Sequence, residues 1–245
     1  MRKMGILISV LVAATFLLWA GPATAVIDRF VTIQPIQVCN DAGASCANAA
    51  QTLFEAEGDK IWAQAGIDVQ FLNWTTINES DFLNPTGAQL TTLFAGGAGT
   101  GENTNAGVLN FWFIDTHPGG AFGEVNAIGG SRTVIANSVF SFNAGVGRRD
   151  TIYHELGHNL GLFHTAADAA FNQRLMAPGS VRLIPSGVGD IFPDGAMLDQ
   201  LIAAEISTAR DSQYVGVIPE PATLLLLGSG LVGLRGAAWR RNRQK

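Results

Sequence analysis

The stretch Thr151–Thr165, TIYHELGHNLGLFHT, places three histidines within fifteen residues, and their spacing dictates the local backbone. His154 and His158 are four apart, so on a helix they stand about 40° from one another and one turn apart, and both imidazoles can reach one ion. Ile152, Leu156 and Leu160 fall on the other side, giving the helix a face to bury while the histidines meet a cleft. Glu155 lies beside the histidine face without pointing along it, which suits a general base better than a ligand. His164 is six residues beyond His158, and a continuing helix would swing it about 120° away from the ion. The chain must therefore turn, and Gly161, free to take a positive φ, is where the helix can end and bring His164 back. Three neutral imidazoles leave a fourth position to water, the arrangement of a catalytic rather than a structural zinc site.

His154, Glu155, His158, Gly161 and His164 together match HExxHxxGxxH, and over this segment the chain resembles the metzincin clan of zinc metallopeptidases. The resemblance implies one catalytic Zn2+ held by the three histidines and an endopeptidase reaction in which Glu155 activates the zinc-bound water. It also implies a methionine turn beneath the metal, a role that Met176 in Arg174–Pro178 fits. The implied architecture is α+β: a twisted mixed sheet with an α/β-type N-terminal part, an active-site helix, and a small irregular C-terminal subdomain ending in a helix. Extended substrate would lie against an edge strand, for which Ala121–Ala127 is the candidate. The chain departs from the astacin-like and serralysin-like members at Pro178, where they carry a tyrosine. Thr165 after the third histidine is closer to the pappalysin group.

Outward from the motif, the pattern of apolar residues predicts a strand over Arg29–Val38, placed at an edge or a bulge by Pro35, and a helix over Ala49–Gln64 that stops at Gly66. Further strands are expected at Ile67–Trp74, Gly107–Asp115, Ala121–Ala127 and Thr133–Val139, the last two joined by Gly129-Gly130, and a final helix over Gly195–Arg210. The Gly-rich segment Gly96–Gly107 lacks the strand and helix of a phosphate loop and reads as a flexible surface loop. Asp190 and Asp194 read as solvated loop residues rather than calcium ligands.

The two ends of the 245-residue chain read as addresses. Arg2 and Lys3, an uncharged run from Met4, and Ala23-Thr24-Ala25 describe a secretory signal peptide (1–25) removed by signal peptidase after Ala25. Residues 26–213 are then one metallopeptidase-sized domain, and 214–245 a linker and tail. The tail's Pro219-Glu220-Pro221, apolar segment Ala222–Leu234 and terminal basic cluster resemble the PEP-CTERM sorting signal of Gram-negative bacteria that make exopolysaccharide. That resemblance implies a transient membrane anchor through a short transmembrane segment, processing by an exosortase, and a final place at the cell surface or in the extracellular matrix. Export into an oxidising compartment favours a disulfide between the only cysteines, Cys39 and Cys46.

The ends carry seven of the 15 basic residues and one of the 20 acidic ones, which leaves eight basic against 19 acidic between Val26 and Ile218, a net of −11. So acidic a body repels phosphates and excludes nucleic acid as a partner. The metzincin resemblance implies a protein or peptide substrate, and two competing readings stand beside it. One is a matrix or adhesion module with an exopolysaccharide partner and a silent metal site; the other is a zinc hydrolase of a non-peptide amide.

Overall fold

The computed structural model describes residues 26–219. The signal peptide, Glu220, Pro221 and the apolar segment that follows lie outside the described residues, among which no helix is long and apolar enough to cross a membrane.

The fold is α+β, built on a seven-stranded mixed sheet. The strands are β1 (Arg29–Cys39), β2 (Ile67–Phe71), β3 (Thr75–Asn78), β4 (Val108–Ile114), β5 (Gly123–Val125), β6 (Arg132–Ala136) and β7 (Val215–Val217). Their order is β2-β1-β4-β6-β5, with β3 and β7 also on β1. The contacts β2-β1-β4-β6 are parallel, whereas β5 and β7 are antiparallel to their neighbours. The helices are α1 (Glu55–Ala63), α2 (Ser80–Leu83), α3 (Gly87–Ala95), α4 (Ser138–Gly145), α5 (Thr151–Asn159) and α6 (Ala203–Arg210). Buried Ile33, Ile36, Phe111, Trp112 and Phe113 carry the sheet's share of the core, each side chain contributing about 1.5–3 kcal/mol on burial.

β1 is the central strand, not an edge, and Pro35 sits inside it without a bulge. It does so because the missing N–H falls in a gap. Arg29–Ile33 pair with β2 and Ile36–Cys39 with β3, and between them Leu72 N–H binds Ile33 O while the Gln34 amide reaches Asn73 O at 2.8 Å. On the other side β4 pairs straight past Pro35. Glycine at 58 lets α1 and α5 cross closely, since a Cβ there would overlap the Tyr153 ring. The Tyr153 hydroxyl, buried in that crossing, donates to Leu53 O at 2.9 Å.

Several expected elements are shorter or of another kind. The first helix covers only Glu55–Ala63, with Phe54 in the left-handed region (φ 56°) just before it. The last begins at Ala203, because positive φ at Met197 and Asp199 breaks the backbone before it. The strand expected to Val139 stops at Ala136; Val139 belongs to α4, folding back against the core. The Gly96–Gly107 loop is pinned, since Thr100 is buried and its carbonyl takes the Trp112 indole N–H at 2.6 Å. Val215–Val217, expected in a linker, add β7 to the sheet, so the chain continues past the helix. Arg210 closes that end on Asp28 through two 2.8 Å bonds. Cys39 and Cys46 are joined in a disulfide that closes the turn after β1.

Candidate metal centre

α5 is buried along its whole length, so its histidine face is covered as well as its core face. At its end the Gly161 N–H binds His158 O at 3.1 Å and the Leu162 N–H binds Gly157 O at 2.9 Å, with Gly161 at φ +94°. This pair of reversed bonds ends a helix on a left-handed glycine, and it turns the chain so that His164 faces back over α5. The sequence Met-turn candidate lies beneath. Met176 is fully buried, its Sδ would be 2.5 Å from a Cβ on Gly157, and its carbonyl accepts the Thr165 N–H at 2.9 Å.

His154, His158 and His164 come together as the one group of three potential ligands among the described residues, with their ligand atoms all within 4.8 Å. His164 Nε2 lies 3.1 Å from both His154 Nε2 and His158 Nε2. The other ring nitrogens of the two helical histidines are tied back: His154 Nδ1–H donates to Leu175 O and His158 Nδ1–H to Leu162 O, each at 2.7 Å. The residue before Met176 thus orients the first histidine. With the Nδ1 protons so engaged, Nε2 of each presents a lone pair, and lone pairs 3.1 Å apart repel unless a cation lies among them. The edges of a tetrahedron with zinc–nitrogen bonds of about 2.0–2.1 Å are about 3.3 Å, so the donor set fits zinc in chemistry and spacing. Burial holds the rings neutral, as ligands must be: it pushes His154 well below its ordinary value, His158 down to about 4, and His164 down less, with Arg182 adding to each.

Glu155 is 7% exposed and lies against the edge strand β5, where a Cβ on Gly123 would stand 2.7 Å from its Cγ. Burial raises its carboxyl to about 8, partly offset by Arg182. A bound dication would pull it down again. Two cavities meet at Glu155 and His164. One, of about 220 Å³, lies at the start of β5 and is lined by Phe122, Thr151, Gly179, Arg148 and Arg182. The other, of about 420 Å³, lies at its end beside Val125, Ile128, His158 and Phe163.

Two arginines in this centre went unrecognised in the sequence. Arg182 is buried, ion-pairs with the fully buried Asp150 at 2.6 Å, donates to Ala177 O and touches His154 Nδ1. Arg148 precedes α5 and stacks 4.6 Å from the Phe122 ring. The sequence signal covered Arg148 alone, six residues before His154 in a body poor in basic residues; Arg182 lies well past His164, and its place depends on the fold. Asp190 and Asp194 lie apart from this centre, Asp190 bound by Ser186 and Asp194 by Lys60.

At the far end of the chain, the family described as the PEP-CTERM protein-sorting motif matches residues 217–243. The chain carries an exosortase sorting signal. It is therefore exported, anchored at the membrane and processed for the cell surface. The matched region begins at the last residue of β7, and the next, Ile218, donates to Asp28 O, so the tail leaves beside the start of the domain.

No curated protein matches the chain. Among solved structures it is similar to metalloproteinase-II from Bacteroides fragilis, with 15% identity and a TM-score of 0.46 over 77% of this chain and 54% of that one. It is also similar to the archaemetzincins of Methanopyrus kandleri (12% identity, TM-score 0.43, 79% and 98% covered) and of Archaeoglobus fulgidus (15%, 0.37, 72% and 99%), the latter complexed with malonate. The chain spans about half the length of the Bacteroides protein. With TM-scores below 0.5, the chemistry is to be read from this chain's own residues.

Proposed function

We propose that residues 26–213 form a metzincin-type zinc endopeptidase, released by signal peptidase after Ala25 and sorted to the surface or exopolysaccharide matrix of a Gram-negative bacterium. The observation that carries the reading is the convergence of three Nε2 atoms, two of them on rings whose Nδ1 is held by a backbone carbonyl, with a buried carboxylate beside them and no fourth protein ligand among the described residues.

His154, His158 and His164 would hold the ion, and Leu175 O and Leu162 O keep two of the rings in the ligating tautomer. Zinc bound there supplies a Lewis acid that polarises the scissile carbonyl and acidifies water. Glu155, facing both cavities, takes the proton from the attacking water and returns it to the leaving amine. β5 lies at the end of the sheet with one edge unpaired by any other strand, so an extended peptide can add to it by backbone hydrogen bonds. Gly123 on that strand leaves the room that Glu155 needs. Glu155 itself argues against a silent matrix module, since a site kept only for stability has no use for a base.

The test is metal analysis of the processed protein together with digestion of a proteome-derived peptide library. One zinc per chain and cleavage of internal peptide bonds are expected. Zinc without any peptide cleavage would hand the site to a non-peptide amide or a matrix role.

A further inference from the structure

Arg148 is 5% exposed, and among the described residues its guanidinium makes no hydrogen bond or ion pair. It is held by faces alone, 4.6 Å from the Phe122 ring and 5.7 Å from that of Phe142. Asp150, Glu155 and Asp199 are the acids around it, and none is bonded to it. Asp150 pairs with Arg182 at 2.6 Å, and neither Glu155 nor Asp199 forms a hydrogen bond or ion pair with Arg148. The Arg148 guanidinium thus lines the cavity that holds Glu155 and His164 with no carboxylate bonded to it. An unpaired buried cation is costly, and an Arg fork in a cleft is matched by a carboxylate. The rest of the domain is strongly acidic, so this unpaired cation is not a reflection of composition.

The direction of β5 assigns the cavity a side of the substrate. The Arg148 cavity lies where β5 starts, at Phe122 and Gly123, and the second cavity where it ends. A peptide paired antiparallel to β5 runs from the second cavity to the first, so its residues after the scissile bond enter the Arg148 cavity. We infer that Arg148 is a specificity-determining residue that binds a carboxylate on the C-terminal side of the cleaved bond. That carboxylate is either an acidic side chain in the position after the bond or a free C-terminus close to it. This rests on the endopeptidase reading above.

The experiment uses the zinc-loaded processed protein and peptides of one sequence carrying Glu, Gln or Leu after the cleaved bond, each as free acid and as amide. Glu is expected to exceed the isosteric Gln by about 10-fold or more in kcat/KM, chiefly through KM, as for a hydrogen bond to a charged group. A preference that persists in the amides identifies the side chain as the source; one seen only in short free acids identifies the terminus. Arg148→Met is expected to bring the Glu-to-Gln ratio to about 1 and Arg148→Lys to leave an intermediate ratio, since charge stays but the fork is lost. A binding arm uses calorimetry of Glu155→Ala protein with the Glu and Gln peptides, where the same preference should appear without turnover. Equal handling of Glu and Gln by the parent, a ratio that survives Arg148→Met, or a preference for acid before the bond each overturns the inference. Absence of all cleavage overturns the peptidase reading instead, and the binding arm then decides the pocket alone.

Discussion

The two cavities that meet at Glu155 differ in charge: arginines line one and not the other. The one at the start of β5 encloses a cation without a hydrogen-bonded partner, walled by Phe122, Arg148, and Gly179 with Arg182 beyond Met176. The one at the end of β5 has no cationic side chain: Val125, Ile128 and Phe163, the last 72% exposed, line it with Glu124, Glu155 and two of the histidines. An exposed phenylalanine costs little to keep, whereas a buried lone guanidinium costs stability. The difference teaches that this cleft is asymmetric along the strand that lines it, and it can be probed from the centre outward.

The largest effects come where both cavities share parts. His158→Ala removes a ligand, so bound zinc and cleavage should fall together and modest added zinc should not restore them. Glu155→Ala should keep zinc near the parent stoichiometry while slowing cleavage of every peptide by roughly 100-fold or more. If it instead changes only peptides with an acidic residue after the bond, Glu155 belongs to the cationic cavity and is not the shared base.

Next in size is a variant beneath the metal. Gly157→Ala would drive a Cβ against Met176 Sδ and shift the Leu175 carbonyl that holds His154. Zinc affinity, measured by competition with a chelator, should drop about 10-fold or more, as for loss of other groups that orient ligands. Unchanged affinity would mean that the turn does not position the histidine.

The metal-free protein should be most stable near about pH 6.5, by the linkage between shifted pKa values and stability. His154 and His158, both depressed from an ordinary 6.5 and the latter to about 4, contribute stability that is complete above 6.5 and lost as pH falls, and together they outweigh Glu155 between 4.5 and 6.5. Glu155, raised from 4.5 to about 8, contributes in the opposite sense: its share is complete below 4.5 and lost as pH rises through 8. Denaturant midpoints across pH should trace that maximum, and Glu155→Gln should remove the alkaline fall alone.

The smallest effects separate the cavities most sharply. Arg148→Met should leave the melting temperature equal to or above the parent's, because a buried unpaired charge is replaced by an apolar chain of similar length. Phe163→Ala should change stability by less than about 0.5 kcal/mol, as at other exposed positions, and alter only the preference for residues before the cleaved bond. A clear destabilisation by Arg148→Met would mean that the guanidinium has a partner in the fold.

How far the site was legible follows from the range of each signal. The histidines, Glu155 and Gly161 are read within one helix and its end, where spacing converts directly into angle. Gly123 and Gly157 were not, because a glycine's role there is the absence of a Cβ beside a side chain from another segment. The strand at Arg29 was recognised from its alternation, but its place was misjudged. Proline's missing donor matters only on the side facing a neighbour, and which side that is depends on where β2 stops and β3 begins. Val139 has the β-branched character of a strand residue and sits in a helix, since burial against the sheet outweighs that propensity.

By itself, then, the sequence determined what is local: two imidazoles one turn apart, a carboxylate between them, a glycine that ends the helix, and an export address at the tail. Tertiary structure alone decided which carbonyls hold the imidazoles, that β5 rather than β1 lies at an edge, and that Arg148 faces the cleft without a carboxylate of its own. Helical periodicity carries the first set because it fixes neighbours within a turn. The second depends on chain segments tens of residues apart closing on one another, and no spacing along a strand or helix encodes that.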